Sequence, residues 1–128
     1  MDKEFLAMTT HILVVDDEPS IRELFEDVLG DEGYVVHTVA TGHQALAVYQ
    51  TMPLDLIFID IMMPEMDGIT LCRRITTIPG MTQPPIILMS GGTTVTTIDG
   101  PYQAFLAKPF DLTNLLQLIH TLLSSEQS

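Results

Sequence analysis

The hydrophobic positions of this 128-residue chain alternate between two periods from end to end. His11-Ile-Leu-Val-Val15 is a short β-branched run that stops at two acids, the pattern of a strand buried on both faces. Glu18-Pro19-Ser20 then opens a helix, with Ile21, Leu24, Phe25, Val28 and Leu29 on one face and Gly30 or Gly33 at its end. Tyr34 to Ala40 reads as a second strand. Thr41-Gly42 caps a second helix that turns Ala45, Leu46, Val48 and Tyr49 inward and closes near Pro53. Leu54 to Ile61 is a third strand, apolar on both faces and therefore central. Asp67-Gly68 leads a third helix carrying Ile69, Leu71, Cys72 and Ile75, which stops at Pro79-Gly80. Pro85 to Met89 and Ala104 to Ala107 are the fourth and fifth strands. Asp111 caps a last helix with Leu112, Leu115, Leu116, Ile119, Leu122 and Leu123. The crossover from Gly92 to Gln103 breaks the pattern. Its threonine-rich run forms helix poorly, and Asp99-Gly100-Pro101 interrupts any helix there, so a short or irregular fourth helix is expected.

Parallel neighbours need crossovers, so strands that alternate with helices specify an α/β domain: a doubly wound five-stranded parallel sheet covered on both faces. The length suits one domain with its own core. It divides into an N-terminal extension over 1–10, the domain over 11–124 and a tail over 125–128. The single cysteine, Cys72, excludes an internal disulfide framework and Cys-based zinc spacings. The longest apolar run, Leu54 to Met63, is interrupted by Asp55 and Asp60 and is too short to span a membrane. Met1 to Met8 lacks the basic and apolar regions of a signal peptide. A cytoplasmic protein without membrane insertion is expected. The formal charge is −12, and the five basic residues are scattered. Nucleic acid needs a clustered basic footprint, so direct binding to it is not expected. Eight carboxylates face one arginine between Asp16 and Glu32. They read either as a solvated helix face or as a cation-binding cluster that begins at Asp16.

The residues able to carry chemistry share one place in this pattern. Asp16 and Asp17 follow strand one, Asp60 ends strand three, Ser90 follows strand four and Lys108 follows strand five. In an open parallel sheet these C-terminal ends line one edge, where such folds bind ligands. Crowded carboxylates repel one another unless a cation neutralises them, and a hard ion such as Mg²⁺ suits oxygen ligands with several waters. Asp60 sits at the end of a wholly apolar strand, where burying an acid is costly. A carboxylate can attack phosphorus and form an aspartyl-phosphate. Lys108, the Ser90 hydroxyl and backbone N–H groups near Ile61 and Gly91 are placed to bind phosphoryl oxygens. Singly, each has a blander reading: Asp16-Asp17 as helix caps, Asp60 as a turn former, Lys108 as a surface lysine. Their shared position at strand ends favours the chemical one.

Together, Ile12-Leu-Val-Val-Asp-Asp-Glu-Pro19, Asp60-Ile-Met-Met-Pro-Glu-Met-Asp-Gly68 and Lys108-Pro109-Phe110 resemble the receiver domain of bacterial two-component response regulators. The resemblance covers about His11 to Leu123. It implies a CheY-like (flavodoxin-like) strand order, 2-1-3-4-5. It further implies that Asp60 accepts a phosphoryl group from a histidine kinase or a histidine phosphotransfer protein, as a signalling phosphoacceptor rather than a turnover enzyme. Asp17, Asp60 and the Met62 carbonyl match ligands of Mg²⁺ (or Mn²⁺), with Asp16 acting largely through water. Ser90 matches the hydroxyl residue that moves toward the phosphoryl group, Phe105 the aromatic that turns in concert, and Lys108 the phosphate-binding lysine. Lys108–Pro109 matches a peptide that is usually cis. The partner side is a downstream protein target or a covalently linked output domain outside this chain.

The chain departs from that pattern between Ser90 and Lys108, which is about one helical turn short. There Asp99-Gly100-Pro101-Tyr102 stands where small residues are usual, and Tyr102 competes with Phe105 for the aromatic role. The outer face of the last helix (Thr113, Asn114, Gln117, His120, Thr121) is almost uncharged, so charge-paired dimerisation through it is not expected. Three other readings remain. A phosphohydrolase of the haloacid-dehalogenase type needs a carboxylate where Met62 stands. A flavodoxin-like cofactor site would place phosphate against Asp16-Asp17-Glu18. A receiver-shaped interaction module would leave the acid, hydroxyl and lysine set unused.

Overall fold

A computed structural model describes residues 9–81, 83–91 and 100–127. The expected fourth crossover and the N-terminal extension fall mainly on 92–99 and 1–8, outside the described residues. The strands are β1 (His11–Val15), β2 (Val35–Val39), β3 (Leu56–Asp60), β4 (Ile86–Ser90) and β5 (Ala104–Ala107). Among the described residues the helices are α1 (Pro19–Asp31), α2 (Gly42–Thr51), α3 (Gly68–Thr76) and α4 (Leu112–Gln127). All neighbouring strands run parallel, in the order β2-β1-β3-β4-β5. This is the doubly wound sheet that the sequence pattern predicts.

Successive residues of a strand face opposite sides, and the sheet accordingly carries two cores. Leu13, Val15, Ile57, Ile59 and Leu88 pack under α2 and α3, meeting Ala45, Tyr49, Leu71 and Ile75. Ile12, Val14, Phe58, Ile87 and Met89 pack under α1 and α4, meeting Phe25, Leu29, Leu115 and Ile119. Phe25 lies between Phe58 and Phe110, with centroids 4.9 and 5.4 Å away and rings tilted at 56° and 59°. That tilted geometry is the favoured one for aromatic pairs.

Local chemistry sets most helix starts. Pro19 occupies the first turn of α1, where its missing N–H is no loss. Thr41 Oγ1 accepts the Gln44 N–H at 3.1 Å, and Gln44 Oε1 reaches back to the Ala40 N–H at 2.9 Å. Asp67 caps α3 by accepting the Thr70 N–H at 2.8 Å. Asp111 accepts the Thr113 N–H at 2.7 Å and opens α4. That last helix continues to Gln127, beyond the Leu123 at which its apolar pattern stops.

Candidate functional site

The last rung of each strand pairing fixes the backbone of a site residue. The Asp16 N–H donates to the Val39 carbonyl at 3.1 Å, which ties the end of β1 to β2. Ile61 N–H donates to Met89 O and Lys108 N–H to Ser90 O, both at 2.8 Å. Asp16, Asp60, Ser90 and Lys108 are therefore held at one sheet edge by the ladder itself. Asp16, Asp60 and Ser90 are buried, whereas Asp17 is exposed.

The carboxylates of Asp16, Asp17 and Asp60 each offer an oxygen within 4.8 Å of the others. Asp16 is held on both oxygens: Oδ1 accepts the Glu18 N–H at 2.9 Å, and Oδ2 accepts Lys108 Nζ at 2.6 Å. Lys108 Nζ also lies 3.6 Å from Asp60 Oδ2 and 3.4 Å from Glu18 Oε1. Asp60 Oδ1 accepts the Met62 N–H at 3.2 Å. Burial, then the like charge of Asp16, pushes the Asp60 carboxyl up to about 6, against the opposing pull of Lys108 and the Met62 amide. For Lys108, burial alone would lower the ammonium, but the Asp16 hydrogen bond with the charges of Asp16, Asp60 and Glu18 raises it.

These donors suit a hard divalent cation. They are all oxygens, they carry excess negative charge, and Asp60 is an acid whose ionised form lacks enough neutralisation from protein alone. Asp16, with both oxygens engaged, fits a role through water better than direct ligation. Asp17 is the open carboxylate.

The remaining expected residues occupy the same region. Ser90 pairs with Ala107 in register and Leu88 with Phe105, so Ser90 and Phe105 project from one face as diagonal neighbours. Phe105 and Tyr102 are both half-buried against the same core. The Lys108–Pro109 peptide is cis. The Met62 side chain is 72% exposed.

Three contributors have site roles that the sequence reading did not assign. Gly68 sits so close to the end of β3 that a Cβ there would lie 2.3 Å from the Asp60 carbonyl oxygen, and its N–H donates to Ile61 O at 2.9 Å. Glu18 stands at the N-cap of α1 yet makes no side-chain cap bond, and turns to Lys108 instead. Arg22 Nη1 donates to the Asp16 carbonyl at 2.8 Å. The one available signal for these was the Asp-Asp-Glu-Pro and Asp-Gly spacing.

Comparison with known proteins bears on the chain as a whole. The family model described as "Response regulator receiver domain" matches residues 12–120. The signal transduction histidine-protein kinase BarA of Escherichia coli (strain K12) is 35% identical over 122 residues, covering 92% of this chain and 13% of BarA. The transcriptional regulatory protein TcrA of Mycobacterium tuberculosis (strain ATCC 25618 / H37Rv) is 34% identical over 115 residues, covering 87% of this chain and 45% of TcrA. The chain thus spans less than half the length of either relative. Among solved structures, the signal receiver domain of a signal transduction histidine kinase from Syntrophus aciditrophicus superposes with a TM-score of 0.83 at 30% identity, covering 91% of this chain and 92% of that one.

Proposed function

Because this chain belongs to the response regulator receiver family, whose members are signalling phosphoacceptors, we propose that Asp60 accepts a phosphoryl group from the phosphohistidine of a kinase or phosphotransfer protein. The observation that carries this reading is the gathering of Asp16, Asp17 and Asp60 within 4.8 Å, with Lys108 Nζ 3.6 Å from Asp60 Oδ2.

Deprotonated Asp60 supplies the attacking oxygen. A P–O bond forms to it as the P–N bond of the donor phosphohistidine breaks, and the electron pair leaves with the imidazole. Asp17, Asp60 and the Met62 carbonyl would hold a Mg²⁺ (or Mn²⁺) ion, with Asp16 acting through water. When bound, that ion neutralises charge on the carboxylates and the incoming phosphoryl oxygens. Lys108 exchanges its partner Asp16 for a phosphoryl oxygen, an exchange of one oxyanion for another. The Ser90 hydroxyl binds a further oxygen, and its movement opens space on the face it shares with Phe105. The surface around β5 and α4 is thereby altered for a downstream protein or a linked output domain. Release occurs by water attack on phosphorus, which regenerates the Asp60 carboxylate. Among the described residues no helix is long and apolar enough to cross a membrane, and the cytoplasm, where such kinases present their phosphohistidine, is the proposed location.

Incubation with acetyl phosphate and Mg²⁺ followed by intact-mass analysis tests this. One labile phosphoryl adduct is expected on the wild-type chain and none on Asp60→Asn. An adduct that persists in the variant removes Asp60 from its role. Sustained hydrolysis of a generic phosphomonoester would favour the phosphohydrolase reading instead.

A further inference from the structure

Away from the acidic edge, two imidazoles meet head to head. His11 opens β1 and His37 is the middle residue of β2. Leu13 pairs with His37 in register, so His11, Leu13 and His37 project from one face of the sheet. His11 Nδ1 lies 3.0 Å from His37 Nε2. The ring centroids are 5.3 Å apart and the ring planes differ by 7°. That separation is one such N···N contact plus the two ring radii. The rings therefore lie nearly in one plane with the nitrogens aimed at each other, not face over face. Such a contact holds a single hydrogen, with one nitrogen donating and the other accepting. The same alignment argues against a metal pair, since lone pairs aimed at each other do not converge on a third point.

We propose that His11 and His37 form a proton-limited clip between β1 and the edge strand β2, closed while one of the two facing nitrogens lacks a proton and opened when both carry one. Among the described residues, few other ionisable groups face it. The Asp55 carboxylate, just before β3, accepts the His11 main-chain N–H at 2.8 Å. From α2, packed over this face, Tyr49 is buried and His43 exposed; from α3, Cys72 is buried, and Arg73 and Arg74 are exposed. Tyr34, before β2, packs into the core on the opposite face.

Burial lowers the His37 imidazole, and the like charge of His11 lowers it further. The unfolded chain then binds the proton better than the folded one. The stability contributed by the clip is full above the ordinary imidazole value of 6.5 and is lost as pH falls below it. The strand it clips matters to the site, because the other end of β2 supplies the Val39 carbonyl that holds the Asp16 N–H.

Imidazole ¹⁵N NMR on the full chain tests the clip. At about pH 8 a scalar coupling across the Nδ1–Nε2 hydrogen bond is expected, and His37 should titrate below the same ring in the urea-unfolded chain. His11→Gln should raise that midpoint. In urea titrations, the wild type should lose at least about threefold more of its folding constant than His37→Gln between about pH 7.5 and 5.5. No coupling, with His37 titrating as it does when unfolded, would overturn the proposal. So would equal acid losses in the two chains. If His37→Gln does not fold, the wild-type spectrum decides.

Discussion

Asp60 is the least comfortable group in the molecule. It ends a strand of Leu, Ile, Phe and Ile, is 3% exposed, and stands beside a second buried carboxylate, Asp16. Its carboxyl is pushed from 3.8 to about 6, so the folded state holds this proton better than the unfolded state does. The sign follows. A raised acid contributes most below its unfolded value, and stability is lost as pH rises through about 6. Without divalent cation, Asp60→Asn should therefore be more stable than wild type at about pH 8, by on the order of 2 kcal/mol. The gap should close near about pH 4, where both carry a neutral group. Urea midpoints at the two pH values measure it. A less stable variant at high pH would mean that Lys108 neutralises Asp60 more fully than its 3.6 Å separation indicates.

The strands and the acids at their ends were legible because both signals are local. Five β-branched or aliphatic runs each fit a strand, fully buried in β3 and β4, and Asp16, Asp60 and Lys108 each directly end or follow one. What periodicity could not carry was contact between residues distant in the chain. The Glu18–Lys108 pair joins residues 90 positions apart. The loop from Asp60 to Gly68 also depends on backbone detail, with Glu65 at φ 69° and Gly68 against the end of β3. Two of the helical glycines, Gly68 and Gly30, should respond in opposite ways. Gly68→Ala places a methyl 2.3 Å from Asp60 O and 2.8 Å from Ile61 Cα, both main-chain atoms that cannot swing aside. It should destabilise by about 1–3 kcal/mol and slow acquisition of the phosphoryl adduct. Gly30→Ala, late in α1 with nothing within 4 Å, should stabilise by up to about 1 kcal/mol. Thermal or urea melts of the pair check this, and a neutral Gly68→Ala would show that the loop is free to shift.

The charge of the whole chain bears on how the cation reading is tested. At −12, any added salt screens self-repulsion and stabilises the fold, so a rise in stability with MgCl₂ alone proves nothing about a site. A specific ion acts differently. It binds the folded chain only where Asp16, Asp17 and Asp60 have been brought together from two strand ends, and it stabilises by mass action. The informative quantity is the difference between MgCl₂ and NaCl at matched ionic strength. At a Mg²⁺ concentration about tenfold above its dissociation constant, the wild type should gain roughly 1.4 kcal/mol beyond NaCl. Asp17→Asn should lose most of that excess while keeping the general salt effect, because Asp17 is the exposed carboxylate of the cluster. The excess should also grow between about pH 5 and pH 8, as Asp60 gives up the proton that competes with the ion. Equal stabilisation by the two salts in the wild type would leave the acidic cluster as surface charge, and the phosphoryl chemistry assigned to Asp60 would lose its neutralising partner.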